Sequence, residues 1–143
     1  MNGSVSGITI PFTAGGTINA STFVKWDSSD YKVVAAGAND AIVGAAGPEL
    51  ADVQNGTGSA VIHARSGDPV NVIPFGRIAL VYVGSGGVSR GGKVKSDASG
   101  QAVACAATGT TAQNQAGYAM RTAASGDVVE IYVWPAWFIP ALS

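Results

Sequence analysis

Chemistry in this chain would have to start from very few side chains. There is one histidine, His63, and one cysteine, Cys105. A general base, a nucleophile or a metal site needs partners of suitable type nearby. His63 sits in the apolar run Ala60-Val-Ile-His-Ala-Arg65, where alternation puts it on a strand face with Val61 and Arg65, opposite Ala60, Ile62 and Ala64. That setting fits a structural or surface histidine. Cys105 lies in the small-residue run Ala102–Ala107, where a buried, inert thiol is expected, and a lone cysteine excludes an intrachain disulfide.

The nearest approach to a catalytic motif is Gly87-Val-Ser-Arg-Gly-Gly-Lys-Val94. It matches the glycine and lysine spacing of a phosphate-binding loop. The next position then holds Val94, where Ser or Thr would ligand magnesium. The loop also leads into a strand-like segment, whereas a phosphate loop opens a helix whose N-terminus faces the anion. A glycine-rich hairpin explains it. Asp27, Asp30, Asp40, Asp68, Asp97 and Asp127 all stand in apparent turns beside small residues. Aspartate caps backbone N–H groups in such turns, which accounts for these acids without an active site. Calcium-loop spacing is absent. The expectation is a protein that is not an enzyme and has no catalytic residue, cofactor or metal.

The elements that would hold these residues are strands. Apolar residues alternate or come in short runs bounded by Gly, Ser, Asn and Asp. Strands are predicted at Thr22–Trp26, Tyr31–Ala35, Ile42–Ala45, Ala60–His63, Pro69–Pro74, Arg77–Val83, Lys93–Ser96, Val103–Ala106, Gly117–Ala123 and Asp127–Trp134. One helical turn fits around Pro48–Val53. Close spacing of short strands indicates a barrel or sandwich. Residues 1–21 carry Ile8, Ile10, Phe12 and Ile18 at even spacings in a Gly, Ser and Thr background, a pattern expected for an extended N-terminal arm.

An internal echo organises the domain. Val24-Lys-Trp-Asp-Ser-Ser-Asp-Tyr-Lys-Val33 aligns without a gap on Val94-Lys-Ser-Asp-Ala-Ser-Gly-Gln-Ala-Val103. A small-residue segment follows each copy, Ile42–Ala46 or Ala116–Met120. Ser-Gly-Asp-x-Val then recurs as Ser66–Val70 and Ser125–Val129. The reading is two similar β-units, about 22–76 and 91–134, each too small to bury its face alone. Residues 135–143 follow as a Pro-broken aromatic tail. Trp134 just before it and Trp137, Phe138 and Ile139 within it, like the arm residues Ile8, Ile10, Phe12 and Ile18, are candidate interface residues, because aromatic side chains dominate interface cores.

Composition limits the partners. Charged residues are 12% of the 143-residue chain, against about 25% in typical soluble proteins, and the net charge is −1. So thinly charged a surface is poorly protected against association, which points to coverage by neighbours. The eight Lys and Arg form no basic run, which disfavours nucleic acid. The apolar stretch Ile131–Leu142 is broken by Pro135 and Pro140 and falls short of the roughly 20 residues a spanning helix needs. Neither a membrane nor a small-molecule substrate is expected as partner. No basic, apolar leader is apparent, so a cytoplasmic origin before assembly is expected.

The blocks Gly92–Val103, Ala116–Ala123 and Ser125–Val133, together with Thr22–Lys25, Asp40–Ala45 and Gly67–Val70, resemble the capsid cement (head decoration) proteins of tailed bacteriophages over roughly residues 20–134. The resemblance implies an all-β, compact β-barrel or tulip-like domain with an N-terminal arm. It further implies a homotrimer on the outer capsid surface that binds and clamps the major capsid protein lattice. The competing reading is a virion-surface glycan-binding or host-attachment module, in which the three Trp and four Tyr stack on sugars.

Overall fold

A computed structural model of the protein describes residues 12–47 and 62–142. These residues are all-β apart from a final 3-10 turn, Pro140–Leu142. The first strands are β1 (Phe12–Ala14), β2 (Ile18–Asn19), β3 (Phe23–Trp26), β4 (Lys32–Ala35) and β5 (Gly44–Ala46). After residues 48–61 come β6 (Ile62–Ala64), β7 (Pro69–Val70) and β8 (Val72–Pro74). The remainder are β9 (Ile78–Tyr82), β10 (Lys93–Ser96), β11 (Ala102–Ala104), β12 (Gln113–Ala119) and β13 (Val128–Phe138). The segment expected as one strand, Pro69–Pro74, breaks at Asn71, whose backbone N–H donates to the Nε2 of His63. The helical turn expected around Pro48–Val53 lies outside the described residues.

The strands form two nearly closed barrels. The first sheet runs β7-β1-β4-β3-β5-β8, and its two edge strands are one stretch of chain interrupted only at Asn71, so the sheet returns on itself. The second runs β11-β10-β12-β13-β9, and its edges meet at a parallel bridge between Val83 and Ala102. The same parallel joint exists in the first barrel, where Ala14 pairs with Val33. In both, the following glycine donates across the seam: Gly15 N–H to the Val33 carbonyl (2.9 Å) and Gly84 N–H to the Ala102 carbonyl (2.8 Å).

The barrels match residue for residue. Inside the first lie Ala14, Ile18, Val24, Val33, Ala46, Ala64 and Val70, with Phe12 and Val72 partly buried against them. Their counterparts by strand register are Val83, Val88, Val94, Ala102, Ala119, Ala123 and Val129, with Val81 and Ile131. The Ser-Gly-Asp turns repeat too. Gly67 and Gly126 share left-handed φ values of 88° and 91°, and their N–H groups donate to Ala14 and Val83 carbonyls. The gapless alignment holds only to Asp27 and Asp97. Asp27 N–H donates to the Lys32 carbonyl, but Asp97 N–H donates to that of Gln101, so the first hairpin carries one extra loop residue. Beyond the turn, Val33 corresponds to Ala102 and Val34 to Val103.

Two boundaries differ from the sequence expectation. Residues 12–21 belong to the domain and not to an arm: β1 is hydrogen-bonded between β4 and β7, and Ile18 is fully buried. Only residues 1–11 of the expected arm, with Ile8 and Ile10, lie outside the described residues. At the other end β13 runs through Pro135 to Phe138, so residues 135–138 are strand and not tail. Its ladder with β12 shifts register between Gln115 and Gly117, and the shift places Trp134 and Pro135 in a bulge, where proline costs no ladder bond.

Gly44 and Gly117 occupy the same place in the two barrels, pressed against the cross-strand carbonyl oxygens of Ile73 and Tyr132. A Cβ there has to displace backbone. Gly117→Ala is expected to destabilise the protein by about 1–3 kcal/mol, as overpacking does, measured by urea unfolding, with Gly16→Ala, which meets open space, as the near-neutral control.

Candidate interaction surfaces

Several of the polar side chains singled out in the sequence are engaged by the fold. His63 is buried, with its Nε2 accepting from the Asn71 N–H at 3.0 Å. Asp97 Oδ1 accepts from the N–H groups of Ser99 and Gln101. Asp68 and Asp127 each accept from the N–H three residues upstream, at Arg65 and Ala124. Asp40 is held below the usual carboxylate range by the Lys25 ammonium at 2.7 Å and the Gly37 N–H. A lowered carboxylate stabilises the fold above its ordinary range, and that contribution fades as pH falls through the folded value. Among the described residues, no three His, Cys, Asp or Glu gather as a metal-binding group.

The phosphate-loop look-alike is a glycine turn. Gly86, Gly87 and Gly91 take left-handed φ values, Val88 bridges to Ala123, and Lys93 opens strand β10. This turn forms one wall of an open cleft of about 770 Å³. Lys93, Ala104, Cys105 and Ala106 form another wall, and Thr122–Ser125 a third. Cys105 is half-buried there and not fully enclosed as expected. Partial burial pushes its thiol up by more than the Lys95 and Lys93 charges bring it down.

The more extensive feature is apolar. On the outside of the second barrel, Ile78 stands beside Tyr132, and Tyr132 beside Tyr118; Leu80 stands beside Glu130. Tyr132 stacks on Trp134, and Trp134 lies 4.3 Å between ring centres from Phe75. Ile78, Leu80, Phe75 and Trp134 are all exposed. The first barrel has its own aromatic end: Trp26 packs against Phe12 at 5.4 Å, and both Trp26 (57%) and Tyr31 (63%) are exposed.

The candidate interface residues fall in different places. Ile18 is inside the first barrel and unavailable for contact, because the arm it was assigned to is part of the sheet. Phe12 is half-buried under Trp26. Trp134 and Trp137 are exposed. Phe138 is half-buried beneath the Lys93 ammonium, 4.2 Å from its ring centre, and Ile139 is half-buried beside it. Sequence reasoning missed Trp26, Tyr31, Phe75, Ile78 and Leu80. The signal for two of them was readable: Arg77–Val83 is apolar at nearly every position, and a strand apolar on both faces is covered on both.

No protein-family model matches the chain, and no curated protein matches it. Among solved structures, the chain is similar to the crystal structure of the head fiber gp8.5 N base of bacteriophage phi29, with a TM-score of 0.51. The similarity covers 86% of this chain and 90% of that one, at 17% identity. What the two share is the fold.

The raised Cys105 thiol is expected to be sluggish. Its alkylation by iodoacetamide at pH 8 should run several-fold slower than that of a free cysteine, followed by intact mass, and should accelerate to the free rate in urea.

Proposed function

We propose that the protein is a virion structural component. It binds the outer surface of a phage head as a cement or decoration protein, acts as a homotrimer, and stabilises the lattice of the major capsid protein. The observation that carries this reading is the likeness, along nearly the whole chain, to the base of a phage head fiber. Three features agree with it. The chain resembles cement proteins in the order of its turn motifs. Among the described residues, Asp40, Asp68, Asp97 and Asp127 accept backbone N–H groups in turns and His63 is buried, roles that the reading leaves unchanged. Its charge-poor surface presents apolar and aromatic side chains, Ile78, Leu80 and Trp137 among them, which a monomer has no reason to expose together. Three equivalent contacts on a repeating lattice give tight attachment from weak individual interfaces.

Exposed Trp residues also suit the second reading, glycan binding. Against it, the cleft beside β10 is lined mainly by small residues, with Phe138 as its one aromatic side chain and no Trp or Tyr.

Purified heads decide between them. The protein is expected in many copies per head, scaling with the capsid lattice; absence, or a few copies at a vertex, overturns the cement reading. Trp137→Ala combined with Leu80→Asp should weaken binding to undecorated heads at least tenfold, about 1.4 kcal/mol, while leaving the thermal unfolding midpoint within a few degrees. Unchanged binding would move the head contact off this surface.

A further inference from the structure

The two barrels pack on each other through different faces. The first contributes Phe23, Ala36, Ile42 and Ala45, buried in one cluster with second-barrel residues, and Ile73, partly buried against it. The second contributes its β10–β11 turn. Gly100 is seated in that turn against the Phe23 carbonyl, the Thr22 side chain and the Ala36 carbonyl, and its own carbonyl accepts from the Phe23 N–H at 2.8 Å. The joint is extended by Tyr82 N–H donating to Ser21 and by Asn39 N–H donating to Ser96. So the seat of one barrel holds the turn of the other, a head-to-tail arrangement and not a two-fold one.

Head-to-tail packing leaves one seat and one turn unused. The unused seat is the counterpart of Thr22, Phe23 and Ala36 in the second barrel: Gly92, Lys93 and Cys105, which line the open cleft. The unused turn is Asp27–Lys32 in the first barrel. There Tyr31, at φ 60°, is the counterpart of Gly100, at φ 76°. Tyr31 and Trp26 are exposed, whereas their counterparts Gly100 and Ser96 are buried in the joint.

We infer that the cleft of the second barrel is the docking seat for the Asp27–Lys32 turn of another copy of this chain, repeating between molecules the joint already present within one. Size complementarity supports this occupant. In the filled seat, Gly100 leaves no room, since a Cβ there would come within 3.2 Å of the Thr22 side chain. In the open seat, Gly92 replaces Thr22, Ala104, Cys105 and Ala106 flank it, and the cleft of about 770 Å³, which Lys93 and Phe138 also line, is where the Tyr31 ring would enter. Charge complementarity supports it too: exposed Asp30 on the turn would face exposed Lys93, with Arg90 on the rim. The Lys93 N–H stands where the Phe23 N–H meets the Gly100 carbonyl. Phe75 and Trp134 end equivalent strands and touch each other, as equivalent residues do near a rotation axis. Head-to-tail contacts propagate into filaments unless the rotation closes a ring. Closure at three copies gives a ring of alternating first and second barrels with these aromatic rings gathered at its axis.

The inference rests on the self-association in the reading above and not on head binding. The test uses the full chain in solution, carrying Tyr31→Cys beside the native Cys105. Mild oxidation at micromolar protein should give intermolecular disulfides ending in a covalent trimer on non-reducing gels, absent after Cys105→Ser. Asp30→Cys is the second variant should Tyr31→Cys fail to fold. Separately, Lys93→Asp should weaken self-association at least tenfold in sedimentation, and adding Asp30→Lys should restore it. Monomeric protein, cross-links that survive Cys105→Ser, or an oligomer indifferent to Lys93→Asp overturns this interface. Retained head binding in those cases would leave the head-binding reading standing by itself.

Discussion

Each barrel depends on a parallel seam, Ala14 against Val33 in one and Val83 against Ala102 in the other. The glycine after each seam passes over the same pair of groups. A Cβ on Gly15 would meet the carboxylate of Asp27 and a methyl of Val34, and one on Gly84 the carboxylate of Asp97 and a methyl of Val103. The chain can therefore close the sheet only where a residue without a side chain crosses the aspartate that opens a turn. In the second barrel that aspartate also fixes the turn, since Asp97 Oδ1 accepts from two backbone donors. Closure removes both sheet edges at once, which strands this short need, because an open edge invites pairing with other chains.

A closed barrel of so few strands is narrow, since diameter grows with strand number. Its interior takes Val, Ala and an occasional Ile, and the cores hold little else. This explains why nearly half the chain is hydrophobic with few bulky residues. It also limits what one barrel can bury, because small units are marginal by surface-to-volume scaling alone. The joint between barrels enlarges the core by turning part of the first barrel outward: Phe23, the largest fully buried side chain, points away from its own barrel and into the neighbour's. The paired barrels thus form one folding unit.

Much of this was legible in the sequence, and the failures have physical causes. The repeated Asp turn and the repeated Ser-Gly-Asp turn mark the two seams of each barrel, so the duplication could be read from turn chemistry alone. The loop length could not, because the left-handed position that Gly100 fills three residues after Asp97 is filled by Tyr31 four residues after Asp27, and no glycine marks it there. β1 reads as an arm because its partners, β4 and β7, lie far along the chain, and a strand of three residues has no hairpin mate to announce it. Pro135 reads as a strand end, but a bulge absorbs it. The exposed apolar positions escaped notice because alternation tells inside from outside, not whether the outside is covered.

The differences between the repeats lie mainly on the outside. Buried interior positions exchange Val, Ala and Ile among themselves. Outward positions change character: Phe23 becomes Lys93, Thr22 becomes Gly92, Trp26 becomes Ser96 and Tyr31 becomes Gly100. Packing density constrains an interior identically in both copies, so divergence there is limited to small volume changes. An outer face is constrained by whatever touches it. A barrel whose seat is filled within the chain needs an apolar, tight surface there, and one whose seat opens to the exterior tolerates lysine and glycine. A turn tucked into a neighbour must be small, whereas a free one carries aromatic side chains only at the risk of indiscriminate association. Trp26 and Tyr31 carry that risk, whereas their counterparts Ser96 and Gly100, tucked into the joint between the barrels, do not.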